Sequence, residues 1–386
     1  MSFARTMSTA SNELFIGLMS GTSLDGVDGV LAQIDRQGKM QVLGHAFEAF
    51  DAAFRAELLA LNSPGPDELH RGALAGNRIA RHYAGVVQNL LQPSGLSPER
   101  VRAVGAHGQT VRHRPQAFED LPGQPGIGYT AQLLNPSLLA ELSGIDVVAD
   151  MRSRDLAAGG QGAPLVPAFH LGVFGRPGQD VCVLNIGGIS NLSVLRADGS
   201  VLGWDCGPGN ALMDHWCLQH QGQAYDADGR WAASGQVQDA LLARLTRESY
   251  LEKAPPKSTG RDLFNPGWLQ QHLLHSPGLN PADVQATLTA FTAQVCARDV
   301  LRHAPGVRSL VVCGGGALNG HLMRLLAQAL PNLQVEGSDR HGLPPLQVEA
   351  AAFAWLAFKA VHRETASLPS VTGARGARVL GALYPR

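Results

Sequence analysis

Short apolar runs alternate with clusters of glycine and small polar residues along most of this chain. Residues 15–19 (FIGLM) are apolar, residues 20–26 (SGTSLDG) mix glycine with hydroxyls and one carboxylate, and residues 27–31 (VDGVL) are apolar again. That sequence predicts a strand, a tight turn and a second strand. The pattern recurs at 182–194 (CVLNIGGISNLSV). At 310–319 (LVVCGGGALN) a further strand runs into glycines, and a helix over 320–330 follows. Other strands are expected over 40–49, 101–105, 145–149 and 308–313.

Helical spacing is clearest between Pro66 and Pro93. Leu69, Ala73, Ile79, Ala80, Tyr83, Val87, Leu90 and Leu91 fall on one face there, which reads as one long amphipathic helix whose apolar face is core. Asn135 is an expected N-cap, with Pro136 in the first position and Gly144 as the stop. Residues 281–304 form a second long helix, and 347–363 a strongly apolar one with Glu349 at its start. Asp198-Gly199 signals a type I′ hairpin. The stretch 204–210 should end that hairpin and open a helix over 211–221, with Asn210 as cap and Asp205 at the strand end. Residues 115–129 are irregular, residues 156–167 form a glycine-rich link into a second domain, and 371–374 with 379–384 should pack back on the first.

The turns carry the candidate chemistry. Glycine reaches positive φ and lets backbone N–H groups approach a bound group, and Ser20, Thr22 and Ser23 add hydroxyl donors. One such turn suits nucleotide phosphates, or only reverses the chain. Three in one chain read as two phosphate loops and one loop that holds a nucleoside. The first comprises Gly21, Thr22, Ser23, Leu24, Asp25, Gly26, Val27 and Asp28, the second Asn185, Gly187 and Gly188, and the third Gly314, Gly315, Gly316 and Asn319. Beside phosphates, Asp25 would hold hydrated Mg²⁺, which binds through one or two carboxylates. The chain has no G-x-x-x-x-G-K-[ST] and no G-x-G-x-x-G opening a helix.

His107 and Gln109 follow the strand at 101–105, where ligands bind in open α/β sheets. Asp150 and the arginines after it follow the strand at 145–149, and an arginine fork suits carboxylate or phosphate. A solvated charge run is the other reading of those arginines. Lys257 or Arg261 in a loop at 255–261 could meet phosphate or a substrate carboxylate. Glu349 is either a helix-dipole partner or a ligand for a polar substrate. Asp205 is either an Asx-turn carboxylate or a catalytic group.

At 386 residues the chain exceeds the usual size of one core, so two domains are expected. Glycine, at 45 residues, is well above average and fits many tight turns. A formal net charge of −1 without basic runs argues against nucleic acid. Five cysteines without metal spacing read as reduced thiols in the cytosol. Residues 1–13 lack the apolar core of a signal or anchor and read as a disordered leader, and no run is long enough to span a bilayer.

The strings GLMSGTSLDGVD, AHGQTVRH, GGQGAPLVPAFH, LNIGGISNLS, DCGPGNALMD, KSTGR and VVCGGGALN resemble the anhydro-N-acetylmuramic acid kinase family of the actin-like ATPase and sugar-kinase superfamily. The resemblance runs over residues 15–385. It implies an α/β, two-domain actin-like ATPase (ribonuclease H-like) fold with the ATP cleft between domains. Residues 14–150 with roughly 350–386 would form the first domain, and 151–349 the second. It implies ATP and Mg²⁺, Asp205 as general base, a loop at 314–316 against adenosine, and a sugar held by His107, Gln109, Asp150, Arg154 and Glu349. The reaction implied opens 1,6-anhydro-N-acetylmuramic acid with water and phosphorylates O6, in cytoplasmic cell-wall recycling. A homodimer would be compatible with this. Two departures from the family pattern stand out: the insertion at 115–129 with Leu134 where a glycine is expected, and Ser153 where an arginine is usual. A conventional sugar kinase acting on a free hydroxyl is the alternative within the superfamily, and a nucleotide-switch protein with the same fold is the alternative outside enzymes.

Overall fold

The computed structural model describes residues 12–21, 23–115, 126–255, 257–260 and 263–386. Most of the expected leader, Thr22, Arg261 and the centre of the 115–129 insertion lie outside them. Glu13, assigned above to the leader, already belongs to the first strand.

In chain order the elements begin with β1 (Glu13–Met19), β2 (Gly26–Ile34), β3 (Met40–Ala49), α1 (Ala52–Ala60), α2 (Glu68–Ser94), β4 (Val101–Ala106), β5 (Gln109–Arg114) and β6 (Tyr129–Leu133). Next come α3 (Pro136–Ser143), β7 (Val147–Ala149), α4 (Ser153–Ala157), α5 (Val166–Phe174), β8 (Val181–Ile186), β9 (Ile189–Leu195) and β10 (Val201–Pro208). They continue with α6 (Ala211–Gln221), α7 (Arg230–Ser234), α8 (Asp239–Leu245), α9 (Pro266–Leu273), α10 (Pro281–His303), β11 (Ser309–Cys313), α11 (Gly320–Ala329) and β12 (Gln334–Gly337). The chain ends with α12 (Val348–Val361), α13 (Pro369–Thr372) and β13 (Ala382–Tyr384).

Two compact units result, Met1–Val173 with Glu349–Arg386 and Phe174–Val348. The expected boundary at residue 150 falls too early. Asp155 is fully buried and accepts from Gly162 N at 2.8 Å and Thr372 Oγ1 at 2.9 Å, so the glycine-rich stretch is laced onto the end of the first unit. In α5, Phe169 meets Trp355 of the same unit edge-on at 6.1 Å.

The first unit carries a six-stranded sheet in the order β13-β7-β4-β1-β2-β3. β1, β2 and β3 form an antiparallel meander, β4 lies parallel to β1 and β7 parallel to β4. β13 closes the edge antiparallel to β7, so the C-terminus returns to this unit as expected. The second unit repeats the plan as β10-β9-β8-β11-β12, again an antiparallel meander followed by two parallel strands. Two copies of one strand order are the two-domain, ribonuclease H-like architecture of the actin-like ATPases.

Packing explains two of the glycines. A Cβ on Gly17 would lie 1.9 Å from the Ala350 carbonyl oxygen, and one on Gly105 2.0 Å from that of Phe353. Glycine on β1 and β4 therefore lets the backbone of α12 rest directly on the sheet. Phe15 and Phe358 cross edge-to-face at 5.7 Å beside that contact. In the second unit, Trp204, Phe264 and Phe291 are buried in a core that includes residues from α6, α8 and α10.

Several local expectations change. α2 continues through Pro93 to Ser94 and stops at Gly95, whose φ of 62° supplies the left-handed cap. The Asp198-Gly199 turn is not type I′, because only Gly199 has positive φ, 83°. Arg196 and Ser200 close a three-residue loop with glycine in the left-handed position. Asn210 does not cap α6 with its side chain; its Nδ2 donates to Ile186 O at 3.0 Å. The elements without a sequence expectation include α1, α8, α9, the ribbon of β5 and β6, and β12. None of the five cysteines is in a disulfide, and all are buried. No helix among the described residues is long and apolar enough to cross a membrane.

Candidate active site

In the first unit the turn after β1 is held from behind. Ser20 Oγ donates to Gly108 O at 3.0 Å and lies 2.9 Å from Tyr83 Oη, which in turn accepts from Gly108 N at 3.1 Å. Burial pushes the Tyr83 hydroxyl pKa up. A residue read as plain core thus latches two turns together. Leu24, at φ 58°, turns the chain with its side chain buried, and Val27 is fully buried. Neither side chain is available to a ligand, and Gly26 is required because a Cβ there would sit 2.3 Å from Glu48 O. Asp25 is exposed and accepts from Ser23 Oγ at 2.7 Å. Asp28 is half-buried and pairs with His45 at 3.1 Å.

Strand ends bring the remaining groups of this unit together. His107 is buried, and its N–H donates to Leu18 O at 3.0 Å. Its Nδ1 faces Ser20 O at 3.2 Å, while its Nε2 accepts from Arg152 Nη2 at 2.9 Å and Nε at 3.3 Å. Desolvation, then the adjacent Arg152 cation, holds this imidazole pKa at about 3, so it is neutral and both ring nitrogens are engaged by protein. His107 therefore orients Arg152 and the first turn. Gln109 is fully buried, with Nε2 donating to Gly21 O at 3.0 Å. Its Oε1 has no partner among the described residues. A buried amide oxygen left unpaired suits a ligand N–H or hydroxyl.

Arg152, not Arg154, joins this cluster. Arg154 is exposed on α4, whereas Arg152 also donates to Gly162 O at 2.8 Å, and burial lowers its pKa to about 10. Glu349, half-buried in the first turn of α12, has its carboxyl pKa raised by desolvation and by Asp28, against the pull of Arg152. Asp150 is exposed at φ 55° and accepts from Ser153 Oγ at 2.5 Å. Of the five expected residues, His107, Gln109 and Glu349 lie in this cluster with Arg152, while Asp150 and Arg154 face solvent.

In the second unit the glycine turns converge. Gly209 N and Ala211 N donate to Gly188 O, and Asn210 N donates to Gly187 O at 2.7 Å. A Cβ on Gly314, at φ 77°, would lie 2.4 Å from Asn185 Oδ1, and one on Gly316 2.4 Å from Ile186 Cγ2. The turns at 187–188, 207–210 and 314–316 therefore pack as one patch. Asn319 Oδ1 caps α11 by accepting from Leu322 N at 3.0 Å. Gly21 and Gly187 differ from the others: the nearest atoms to an added Cβ lie 3.7 Å away, and neither has positive φ. The fold itself does not demand glycine at these two positions, which fits a bound group approaching the backbone there.

Asp205 lies within β10, three residues before its end, opposite Asn191 and beside a bulge. It is not an Asx turn. Its Oδ2 accepts from Thr259 N at 3.0 Å, its N–H donates to Lys257 O at 3.1 Å, and its carbonyl accepts from Tyr250 Oη at 2.7 Å. Burial pushes its carboxyl pKa up to about 6, with the Thr259 N–H and the Lys257 cation pulling the other way. Lys257 is not a loop cation waiting for phosphate, because its ammonium is buried against Asp299 at 3.2 Å.

The sequence model of the anhydro-N-acetylmuramic acid kinase family matches residues 13–386. The chain belongs to the anhydro-N-acetylmuramic acid kinase family. It is 64% identical over 380 residues to the anhydro-N-acetylmuramic acid kinase of Variovorax paradoxus, covering 97% of this chain and 100% of that one. The protein of the same name from Albidiferax ferrireducens is 57% identical, and that from Cupriavidus pinatubonensis 55%, covering 97% and 98% of this chain and all of each relative. Among solved structures, component A of Acidaminococcus fermentans (R)-2-hydroxyglutaryl-CoA dehydratase overlays with a TM-score of 0.49 at 12% identity, covering 90% of this chain and 98% of that one. The ROK hexokinase of Thermus thermophilus overlays with a TM-score of 0.37 at 15% identity, covering 90% and 99%.

Sequence reading of this family member missed four groups. Arg152 could have been found, since it too follows the strand that delivers Asp150. Tyr83 was hidden in a regular apolar stripe. Tyr250 and Asp299 carry no sequence signal, because only folding brings them beside β10.

Proposed function

We propose that the protein uses ATP to convert 1,6-anhydro-N-acetylmuramic acid, with one water, into N-acetylmuramic acid 6-phosphate and ADP. Family membership supports the kinase assignment and its use of ATP. What carries the chemical reading is Asp205, a carboxylate held by a backbone N–H, with burial bringing its pKa to about 6. A base of that strength is largely ionised at neutral pH and still accepts a proton effectively.

An anhydro sugar has no free 6-hydroxyl, so a phosphoryl acceptor must first be made. Asp205 takes a proton from water as the water oxygen bonds to C1. The C1–O6 bond breaks with its electrons on O6, and O6 attacks the γ-phosphorus, releasing ADP. Such transfer asks a protein chiefly for positioning and charge stabilisation. In the first unit, Gly21, Thr22 and Ser23 would take phosphate oxygens. In the second, Gly187 and Gly188 would take phosphate and the 314–316 turn the nucleoside. Arg152, Glu349 and Oε1 of Gln109 would hold the sugar's carboxylate, hydroxyl and acetamido groups.

Asp25 fits Mg²⁺, since it is exposed in the phosphate turn and keeps acceptor capacity beyond its bond to Ser23. The ion, when bound, would neutralise charge on the phosphates. Such chemistry belongs to cytoplasmic recycling of cell-wall sugars. A coupled ADP assay with mass detection tests the reading on the anhydro sugar, N-acetylmuramic acid and N-acetylglucosamine. Turnover of the anhydro sugar, with oxygen-18 from solvent at C1, is expected. Turnover of only the free sugars would replace it with a conventional kinase.

A further inference from the structure

Behind Asp205 lies a pair of charges that the proposed reaction does not use. Lys257 Nζ and Asp299 Oδ2 are 3.2 Å apart, with side chains 2% and 1% exposed. Trp204 Nε1, one residue before Asp205, donates to the same Asp299 oxygen at 2.8 Å. The ammonium also reaches Leu251 O at 3.4 Å and lies 5.2 Å from the centre of the Tyr250 ring. Asp299 Oδ1 has no partner among the described residues. A buried ion pair with an unsatisfied oxygen is a poor device for stability, since desolving both charges costs several kcal/mol and apolar replacements are often neutral or better.

The placement suggests another use. Lys257 belongs to the short segment that grips Asp205, its own carbonyl accepting the Asp205 N–H and Thr259 N–H binding the carboxylate. We infer that the Lys257–Asp299 pair is a positioning device for Asp205: Asp299, on the largely buried α10, fixes Lys257 and with it the segment that aims the carboxylate, and the ammonium stands as a cation behind it. This rests on the general-base reading of Asp205. Among the described residues, the other ionisable groups around the acid or its neighbours are Tyr250, Cys206 of the same strand, Cys296 and His303 of α10, and Arg298 of α10, whose Nη2 donates at 2.8 Å to the Leu251 carbonyl that Lys257 also meets. Of the charged groups, Lys257 is the one that bears on the Asp205 carboxyl. Its loss leaves Asp299 unopposed, and both changes favour the protonated acid.

The test compares Lys257→Met, Lys257→Arg and the double variant Lys257→Met/Asp299→Leu with the unmodified protein. Carbon-13 NMR follows the Asp205 carboxyl titration without substrate, assigned by its absence in Asp205→Asn. In Lys257→Met the midpoint should move upward, and in Lys257→Arg it should return towards the unmodified value. In turnover, Lys257→Met should lose kcat on the order of tenfold or more, the scale of one charge-assisted hydrogen bond, with KM for ATP unchanged. The double variant should melt as high as the unmodified protein yet keep the low kcat. Should Lys257→Met not fold, the double variant decides. An unmoved midpoint, or a double variant with full kcat, overturns the inference. An unmodified protein inactive on the anhydro sugar would instead sink the functional reading, leaving the titration to judge the pair.

Discussion

The two units share one strand order and differ in where they put their charges. In the first, the turn after the opening strand exposes Asp25 among hydroxyls, and the half-buried Arg152 and Glu349 lie just past a parallel strand and at the start of α12. In the second, the matching turn at 187–188 has no acid, and the carboxylate is drawn inward on the third strand of the meander, backed by an ion pair. Under the proposed roles, the same backbone would provide either a solvated acid for a metal ion or a desolvated one for accepting a proton. Local dielectric would set that proposed division of roles.

The largest test of the contrast is to neutralise each acid in turn. Asp205→Asn should lower kcat by about 10²- to 10⁴-fold, the usual worth of general-base assistance, with ATP binding kept. A near-normal rate would remove the base assignment. In the unmodified enzyme kcat should fall as pH drops through about 6, because the acting form is ionised. Stability should run the other way. A carboxyl whose folded pKa is raised disfavours the folded state above that pKa, so Asp205→Asn should raise Tm at pH 8, with the gain fading towards pH 4.

Next in size is the α12 contact, a feature of the first unit. Gly17→Ala forces a Cβ into the Ala350 carbonyl and should destabilise by about 1–3 kcal/mol or more, read as a lowered urea midpoint. Arg152→Met should raise KM for the sugar by about tenfold, in line with one lost hydrogen bond to a charge, and leave KM for ATP alone. An equal effect from Arg154→Met would contradict the exposure of Arg154. The smallest effect expected is a several-fold rise in KM for ATP in Gly187→Ala with Tm unchanged, since the chain has 3.7 Å of room for that methyl. A drop in Tm there would show that the glycine serves the fold.

Much of this was legible in residue order. Strand, glycine turn and strand at 15–31 and again at 182–194 follow from alternation between apolar runs and residues that tolerate tight turns, and β1–β2 and β8–β9 form as expected. Asn135, Pro136 and Gly144 bound α3 through capping chemistry that acts within a few residues. Local sterics and hydrogen bonding decide such features, so one stretch suffices to predict them.

Whatever depends on two distant stretches meeting was decided by the tertiary structure alone. His107 turned from a candidate ligand into the support of Arg152 because residues 45 positions apart pack together. Lys257 turned from a loop cation open to a ligand into half of a buried pair because α10 brings Asp299 against it. The unusual base strength of Asp205 has the same origin: residue type sets a carboxyl near 3.8, and only the surrounding fold, by excluding water, moves it to about 6. Sequence determined which groups were present and how each segment turned, and packing determined which of them lost their water and therefore what each could do.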